Sequence, residues 1–301
     1  MRKHLLSLTV AGVTLVATAG AFAQANDTLA KIKASGTISL GVRDSSALSY
    51  TLGNGKYVGF HTEMAERIID DLSKQIGKPL TINYTLVTSQ NRVPLVANGT
   101  VDLECGSTTN NTARAKDVSF AYNTYMEVVR MAVKANSGIK DLKDLNGKTV
   151  ATTTGTTSVQ ILRRNERAHD INFKEVTGKD HADSFLLLES GRADAFVMDA
   201  SILAANISKS KNPKEFAIVG PELSVEPIAC MVRKGDPEFL RAVDDSIARQ
   251  VKDGSLAKLY GKWMVQPVPP NNVSLDLPLS DATKTAWANL NNKPAEDFIK
   301  K

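Results

Sequence analysis

Only two cysteines occur among the 301 residues, Cys105 and Cys230, and they form no Cys-x-x-Cys pair. A small disulfide-framed module and a cysteine-built zinc site are thereby excluded. Histidine is as sparse, with four residues, one of them His4, and no His-Glu-x-x-His arrangement, so no metal centre is expected. Aromatic residues make up 6% of the chain, and its formal charge of +5 is dispersed without a basic run or an interleaved aromatic pattern. That composition carries no nucleic-acid signature. No phosphate-binding G-x-x-x-x-G-K-[ST] loop, no G-x-S-x-G elbow and no nucleophile–base–acid set is present. The chain is therefore expected to be neither an ATPase nor another enzyme, and to need no cofactor. After Ala19 nothing approaches the roughly eighteen consecutive apolar residues of a membrane-spanning helix.

What is present begins at the N-terminus. Basic Met1-Arg2-Lys3-His4, apolar Leu5 to Ala19 and then Ala21-Phe22-Ala23 have the three parts of a secretory signal peptide covering residues 1–23. Cleavage is expected after Ala23, with Ala25 as the rival because Ala23-Gln24-Ala25 has the same form. An exported chain of this length with two cysteines is one or two large domains, two being favoured. Oxidising surroundings favour one Cys105–Cys230 bridge closing a long loop; two buried thiols, or a reactive cysteine, are the alternatives.

Strand, polar loop and helix then alternate. Gly36 to Val42 reads as a strand, and Leu48 to Leu52 and Tyr57 to Phe60 as a hairpin around Gly53-Asn54-Gly55. Met64, Ile68, Ile69, Leu72 and Ile76 fall at helical spacing, and Leu80 to Val87 alternates as a strand. Further strands are expected at 101–105, 128–133, 149–152, 171–176, 193–199, 216–219 and 228–232. Helices are expected at 29–34, from a cap over 89–94 to 97, from a start over 153–158 to 163, and at 180–189, 201–207, 239–250 and 256–263, followed by an irregular tail around Pro267, Pro269 and Pro270. This order predicts an α/β fold of mostly parallel sheets flanked by helices, with a binding crevice beyond the strand C-termini. Arg43, Arg92, Arg114, His181 and Asp199 all follow a strand or begin a helix, which puts them at that crevice. The run Cys105-Gly106-Ser107-Thr108-Thr109-Asn110-Asn111-Thr112-Ala113-Arg114 concentrates hydroxyls and one Arg as a carboxylate clamp would.

Four segments in order, Thr88-Ser89-Gln90-Asn91-Arg92, Glu104 to Asn111 with Arg114, Thr154 to Ser158, and Lys179-Asp180-His181 with Asp183-Ser184, resemble the extracellular solute-binding proteins of the polar amino acid type that serve ABC importers. The resemblance runs over essentially the whole chain after the signal peptide, and it is strongest to members that take glutamate and aspartate. It implies a two-lobe, type II periplasmic-binding-protein fold. Lobe 1 would be built from residues 24–134 plus 228–301 and lobe 2 from 135–227, with crossovers near 133–136 and 225–229. It implies that Ser107, Thr109 and Arg114 hold a ligand α-carboxylate, and that Arg43, Ser89, Arg92 and His181 face a side-chain carboxylate. Asp199 would accept the ammonium, and the helix start at Thr156 and Thr157 would add donors. Tyr50 or Phe60 would line the cleft, and His61 would lie at the surface or behind the site. Three Arg against one Asp would then suit glutamate or aspartate, which the sequence does not rank; the alternatives are another polar amino acid such as glutamine or asparagine and, remotely, a dehydratase-like enzyme on the same fold. The implied partners are that acidic amino acid and an inner-membrane permease, with the protein a monomer in the periplasm.

Overall fold

The computed structural model describes residues 27–298, so the signal-peptide expectation lies outside the described residues. Ten strands are seen among them. β1 (Thr37–Val42), β4 (Thr81–Leu86) and β5 (Leu103–Glu104) run parallel, as do β7 (Thr149–Thr153), β8 (Lys174–Gly178) and β9 (Ala195–Asp199). β2 (Tyr50–Gly53) and β3 (Lys56–Val58) form a separate hairpin. Its turn residues Asn54 and Gly55 both have positive φ, at 52° and 73°, which suits a short turn matched to strand twist.

Two long antiparallel strands join the halves. β6 (Val118–Lys134) and β10 (Phe216–Arg233) pair along almost their whole length, giving one sheet in the order β4-β1-β5-β10-β6-β9-β7-β8. Each half repeats a pattern: its first strand lies between its second and third, and the third abuts one of the long strands. β10 plays that part beside β5, and β6 beside β9. The expected strands 128–133, 216–219 and 228–232 are thus parts of two continuous ribbons, with register shifts at Val219/Ser224 and around Ala229. The expected strand 171–176 begins later, at Lys174.

Two sets of cores separate the lobes. In the first, Ile38, Leu40, Phe60, Met64, Ile68, Leu103 and Phe239 pack together between the β1 sheet and the helices Phe60–Ile76 and Pro237–Lys252. In the second, Val129, Met131, Val150, Leu162 and Val197 form one cluster, and Ala151, Phe185, Phe196 and Leu203 another on the opposite face. Helices on both faces follow from that double burial. Cys105 and Cys230 are bonded to each other, tying the end of β5 to β10 within the first lobe. The stretch around Pro267, Pro269 and Pro270 is irregular, as expected, and a helix over Asp281–Ala288, capped by Ser280 accepting from the Thr283 amide, follows it.

Candidate functional site

Arg43 follows β1 and is completely buried. Its Nη2 donates to Ser89 Oγ at 3.0 Å and to Asp180 Oδ2 at 3.3 Å, and lies 3.0 Å from His181 Nε2; its Nη1 reaches Ser107 Oγ at 3.4 Å. A guanidinium has only donors, so His181 Nε2 must accept. His181 is then the neutral tautomer, with Nδ1–H donating to Thr153 Oγ1 at 3.1 Å. The Thr153 hydroxyl donates in turn to Ser184 Oγ at 2.8 Å, and Ser184 donates to the Thr152 carbonyl at 2.9 Å, which fixes the ring. Burial first, and then Arg43, hold His181 down to about 3. The expected His181 is present, acting as an acceptor for Arg43 rather than as a donor to the cleft.

Arg92 opens the short helix Arg92–Ala97 and is also buried, with Nη1 donating to the Ser107 carbonyl at 3.0 Å. The Nε atoms of both Arg43 and Arg92 are buried without a partner. Arg114 bridges the lobes: Nη1 donates to the Thr109 carbonyl at 2.9 Å and Nη2 to the Gly155 carbonyl at 3.3 Å. The loop carrying Ser107 and Thr109 is stitched to β10 by Asn110 N–H donating to the Pro227 carbonyl and Ala229 N–H donating to the Thr108 carbonyl. Behind it His61 is completely buried, bonded to the Gly106 carbonyl at 2.7 Å and to Thr124 Oγ1 at 3.0 Å. Of its two expected placements, at the surface or behind the site, His61 takes the second; burial holds it down to about 4.

From the second lobe, helix Thr157–His169 begins at the cleft. Its N-cap, Thr156, makes no side-chain capping bond, its hydroxyl being turned back to donate to the Thr153 carbonyl. The first-turn amides are left for an anion. Just before it, Gly155 has φ +81° and lies so close to the first lobe that an added Cβ would sit 2.7 Å from the Gln90 amide nitrogen. Asp199 ends β9 and stands at the start of helix Ala200–Lys209 without capping it. Its Oδ1 is buried and unpartnered. Burial, then Glu127 and Glu226, push its carboxyl well up.

Those two glutamates are the residues sequence reasoning missed. Glu127 on β6 and Glu226 on β10 face each other in register, 1% and 3% exposed. Glu127 accepts from the Ser201 hydroxyl and from the Val128 amide at 3.0 Å, and burial pushes it up to about 7. Glu226 Oε2 accepts from Thr109 Oγ1 at 3.1 Å and from Thr157 Oγ1 at 2.8 Å. The signal for Glu127 was a carboxylate inside the apolar run Met126 to Val129. With Asp180 and the buried Glu104 also present, counting three Arg against one Asp no longer describes the charge. Charges of both signs line the loop: Arg43, held by Asp180, and Arg92 reach Ser107, whereas Arg114 and Glu226 reach Thr109.

Neither proposed aromatic contacts that group. Phe60 is the first residue of its helix rather than the end of a hairpin strand, so it turns into the core against Tyr260, with ring centroids 5.4 Å apart; this corrects its placement along the cleft. Tyr50 donates to the Pro269 carbonyl at 2.8 Å and lies under the Lys209 ammonium, 4.0 Å from its ring centre, at an outer contact between the lobes. Among the described residues no group of three or more His, Cys, Asp or Glu has the geometry of a metal site, and no helix is long and apolar enough to cross a membrane.

Comparison with known proteins gives this geometry a context. The chain is 42% identical over 274 residues to an L-glutamate/L-aspartate-binding protein of Pseudomonas aeruginosa, covering 90% of this chain and 91% of that one. It is 40% identical over 271 residues to the glutamate/aspartate import solute-binding protein of Escherichia coli, covering 89% and 90%. The crystal structure of a cysteine-binding protein from Campylobacter jejuni superposes with a TM-score of 0.71 at 25% identity, covering 83% of this chain and 97% of that one, which shows the two-lobed type II periplasmic-binding-protein fold. Residues 38–266 match the family description throughout, and the chain belongs to the bacterial extracellular solute-binding proteins, family 3.

Proposed function

We propose that this protein is the periplasmic receptor of an ABC importer, binding L-glutamate or L-aspartate between its lobes and carrying it to a membrane permease driven by a separate ATPase. The observation that carries the reading is the pair of buried guanidiniums with unpartnered Nε atoms, Arg43 and Arg92, set in one cleft with a buried carboxylate, Asp199, that also lacks a partner. Isolated charges of either sign are costly away from water. A ligand with an anionic side chain and an ammonium answers both deficits together, whereas a neutral amide would turn an NH₂ group toward arginine donors. In this reading Ser89, Arg43 and Arg92 take the side-chain carboxylate, with His181 orienting Arg43, and Arg114 and the Thr157 amide take the α-carboxylate, the Thr156 amide being turned back to the Thr153 carbonyl. Ser107 adds a hydroxyl donor, and Asp199 takes the ammonium. The lobes divide close to residues 24–134 with 228–301, and residues 135–227, with the last residues of β6 pairing with β9 and packing in the second core; the leader 1–23 is removed on export. The similarity of the two glutamate/aspartate-binding relatives supports the choice of ligand.

The test is calorimetry on protein stripped of endogenous ligand by unfolding and refolding. A saturable one-to-one heat with glutamate or aspartate is expected, weakened by Arg92→Ala and by Asp199→Ala. A larger thermal shift with glutamine than with either acid would overturn the assignment.

A further inference from the structure

Thr109 and Thr157 lie on opposite lobes; the family resemblance implies that Thr109 holds the ligand's α-carboxylate and that the helix start at Thr157 adds donors. The structure gives their hydroxyl hydrogens another destination. Glu226 Oε2 lies 3.1 Å from Thr109 Oγ1 and 2.8 Å from Thr157 Oγ1, and the two hydroxyl oxygens are 3.4 Å apart. A carboxylate oxygen only accepts, and a hydroxyl has one hydrogen and two lone pairs. Both hydrogens therefore point at Glu226, and each threonine presents lone pairs to the rest of the cleft. The same region already holds Asp199, with a buried and unpartnered oxygen, and Glu127, opposite Glu226 across the β6–β10 ladder.

Resting on the amino-acid reading above, we infer that Glu226 is a positioning and specificity residue: it turns the Thr109 and Thr157 hydroxyls into acceptors and, with Asp199, makes a ligand ammonium obligatory. The α-carboxylate is then held by Arg114 and the amides that start helix Thr157–His169, and not by these two side-chain hydroxyls. An ammonium brings three hydrogens and no lone pair, and acceptors surround its place. A ligand lacking the amine leaves those acceptors facing one another without a hydrogen between them, a penalty larger than the loss of one bond.

The test compares L-aspartate with succinate, which lacks only the amine, by calorimetry and by competition at millimolar concentration. Ligand-free unfolding midpoints check that Glu226→Gln and Thr109→Val remain folded. Aspartate binding by the unaltered protein tests the functional reading itself; if neither aspartate nor glutamate binds, that reading fails independently of the variants. If aspartate binds, each variant is expected to weaken it by roughly tenfold or more while leaving succinate unchanged or tighter, because only the ammonium's acceptors are altered. Equal weakening of both ligands by Thr109→Val would show that the hydroxyl donates to a carboxylate, and overturns the inference. Should succinate compete with no variant, a double-mutant cycle on aspartate decides. Thr109→Val is expected to cost little once Glu226 is Gln, and additive losses overturn the inference.

Discussion

A guanidinium buried with an unused N–H is a deficit that the folded chain carries until something anionic arrives, and Arg92 is such a residue. Shortening it to Ala is expected to reduce binding of an acidic amino acid by on the order of 100-fold, read by calorimetry, with the ligand-free unfolding midpoint unchanged or higher, since an unpartnered charge has been removed. A fall in that midpoint with binding intact would give Arg92 a purely structural role. Glu127 yields a pH prediction. Burial raises it to about 7 from an ordinary 4.5, so on raising the pH the unfolded chain gives up this proton near 4.5 while the folded chain keeps it until about 7. The folded state therefore loses stability across that interval as pH rises, and the penalty vanishes below it. Glu127→Gln removes this contribution and eases the repulsion that raises Asp199, both in the same direction, so the variant's midpoint should gain on the unaltered protein's between pH 4.5 and 7, whereas a constant gap would contradict the assignment. His61, held down to about 4 by burial, acts in the opposite direction but is common to both proteins and cancels. The polar residues that follow strands were legible in the sequence, because such positions open onto a crevice. Glu127 and Glu226 were not, because they lie within ribbon strands, where a charge is normally read as facing solvent.

Among the elements, the loop–helix unit at Gly155 is the part that permits closure. Its φ of +81° and the 2.7 Å approach of an added Cβ to the Gln90 amide mean that any side chain would hold the lobes apart. Gly155→Ala is expected to weaken ligand binding by tenfold or more, and to leave the radius of gyration measured by small-angle scattering insensitive to saturating ligand. The fold itself should lose only about 1 kcal/mol for the left-handed backbone. A variant that still contracts with ligand would show that the contact can give way. Helices with a clear apolar period, such as Phe60–Ile76, were legible to within a few residues. The error at its start moved Phe60 from a cleft wall to the core, since one helical turn redirects a side chain by more than any uncertainty in its neighbours. β6 and β10 were legible only in pieces, because a strand that leaves one core and enters another changes its burial pattern midway.

For the whole molecule, the Cys105–Cys230 bond spans a separation of 125 residues but lies inside the first lobe and leaves the second unconstrained. Replacing both cysteines by Ser should lower stability by about 2–4 kcal/mol while acidic-ligand binding by the folded protein changes little; a loss of binding comparable to that of Arg92→Ala would show that the bond also shapes the clamp. Removing ligand should have a similar thermal signature without any change of chain: at about 100 times Kd the bound protein gains about 2.7 kcal/mol over the stripped one. The exchange of long strands between the lobes has a further consequence. β10 abuts the third strand of one lobe and β6 that of the other, and the two run paired from one core into the other, so fraying in either lobe propagates along both ribbons into its neighbour. Two hydrophobic cores would ordinarily give two calorimetric transitions. Here the covalent order of the chain makes them thermodynamically one, and the calorimetric enthalpy of unfolding should equal the van't Hoff value in a single peak.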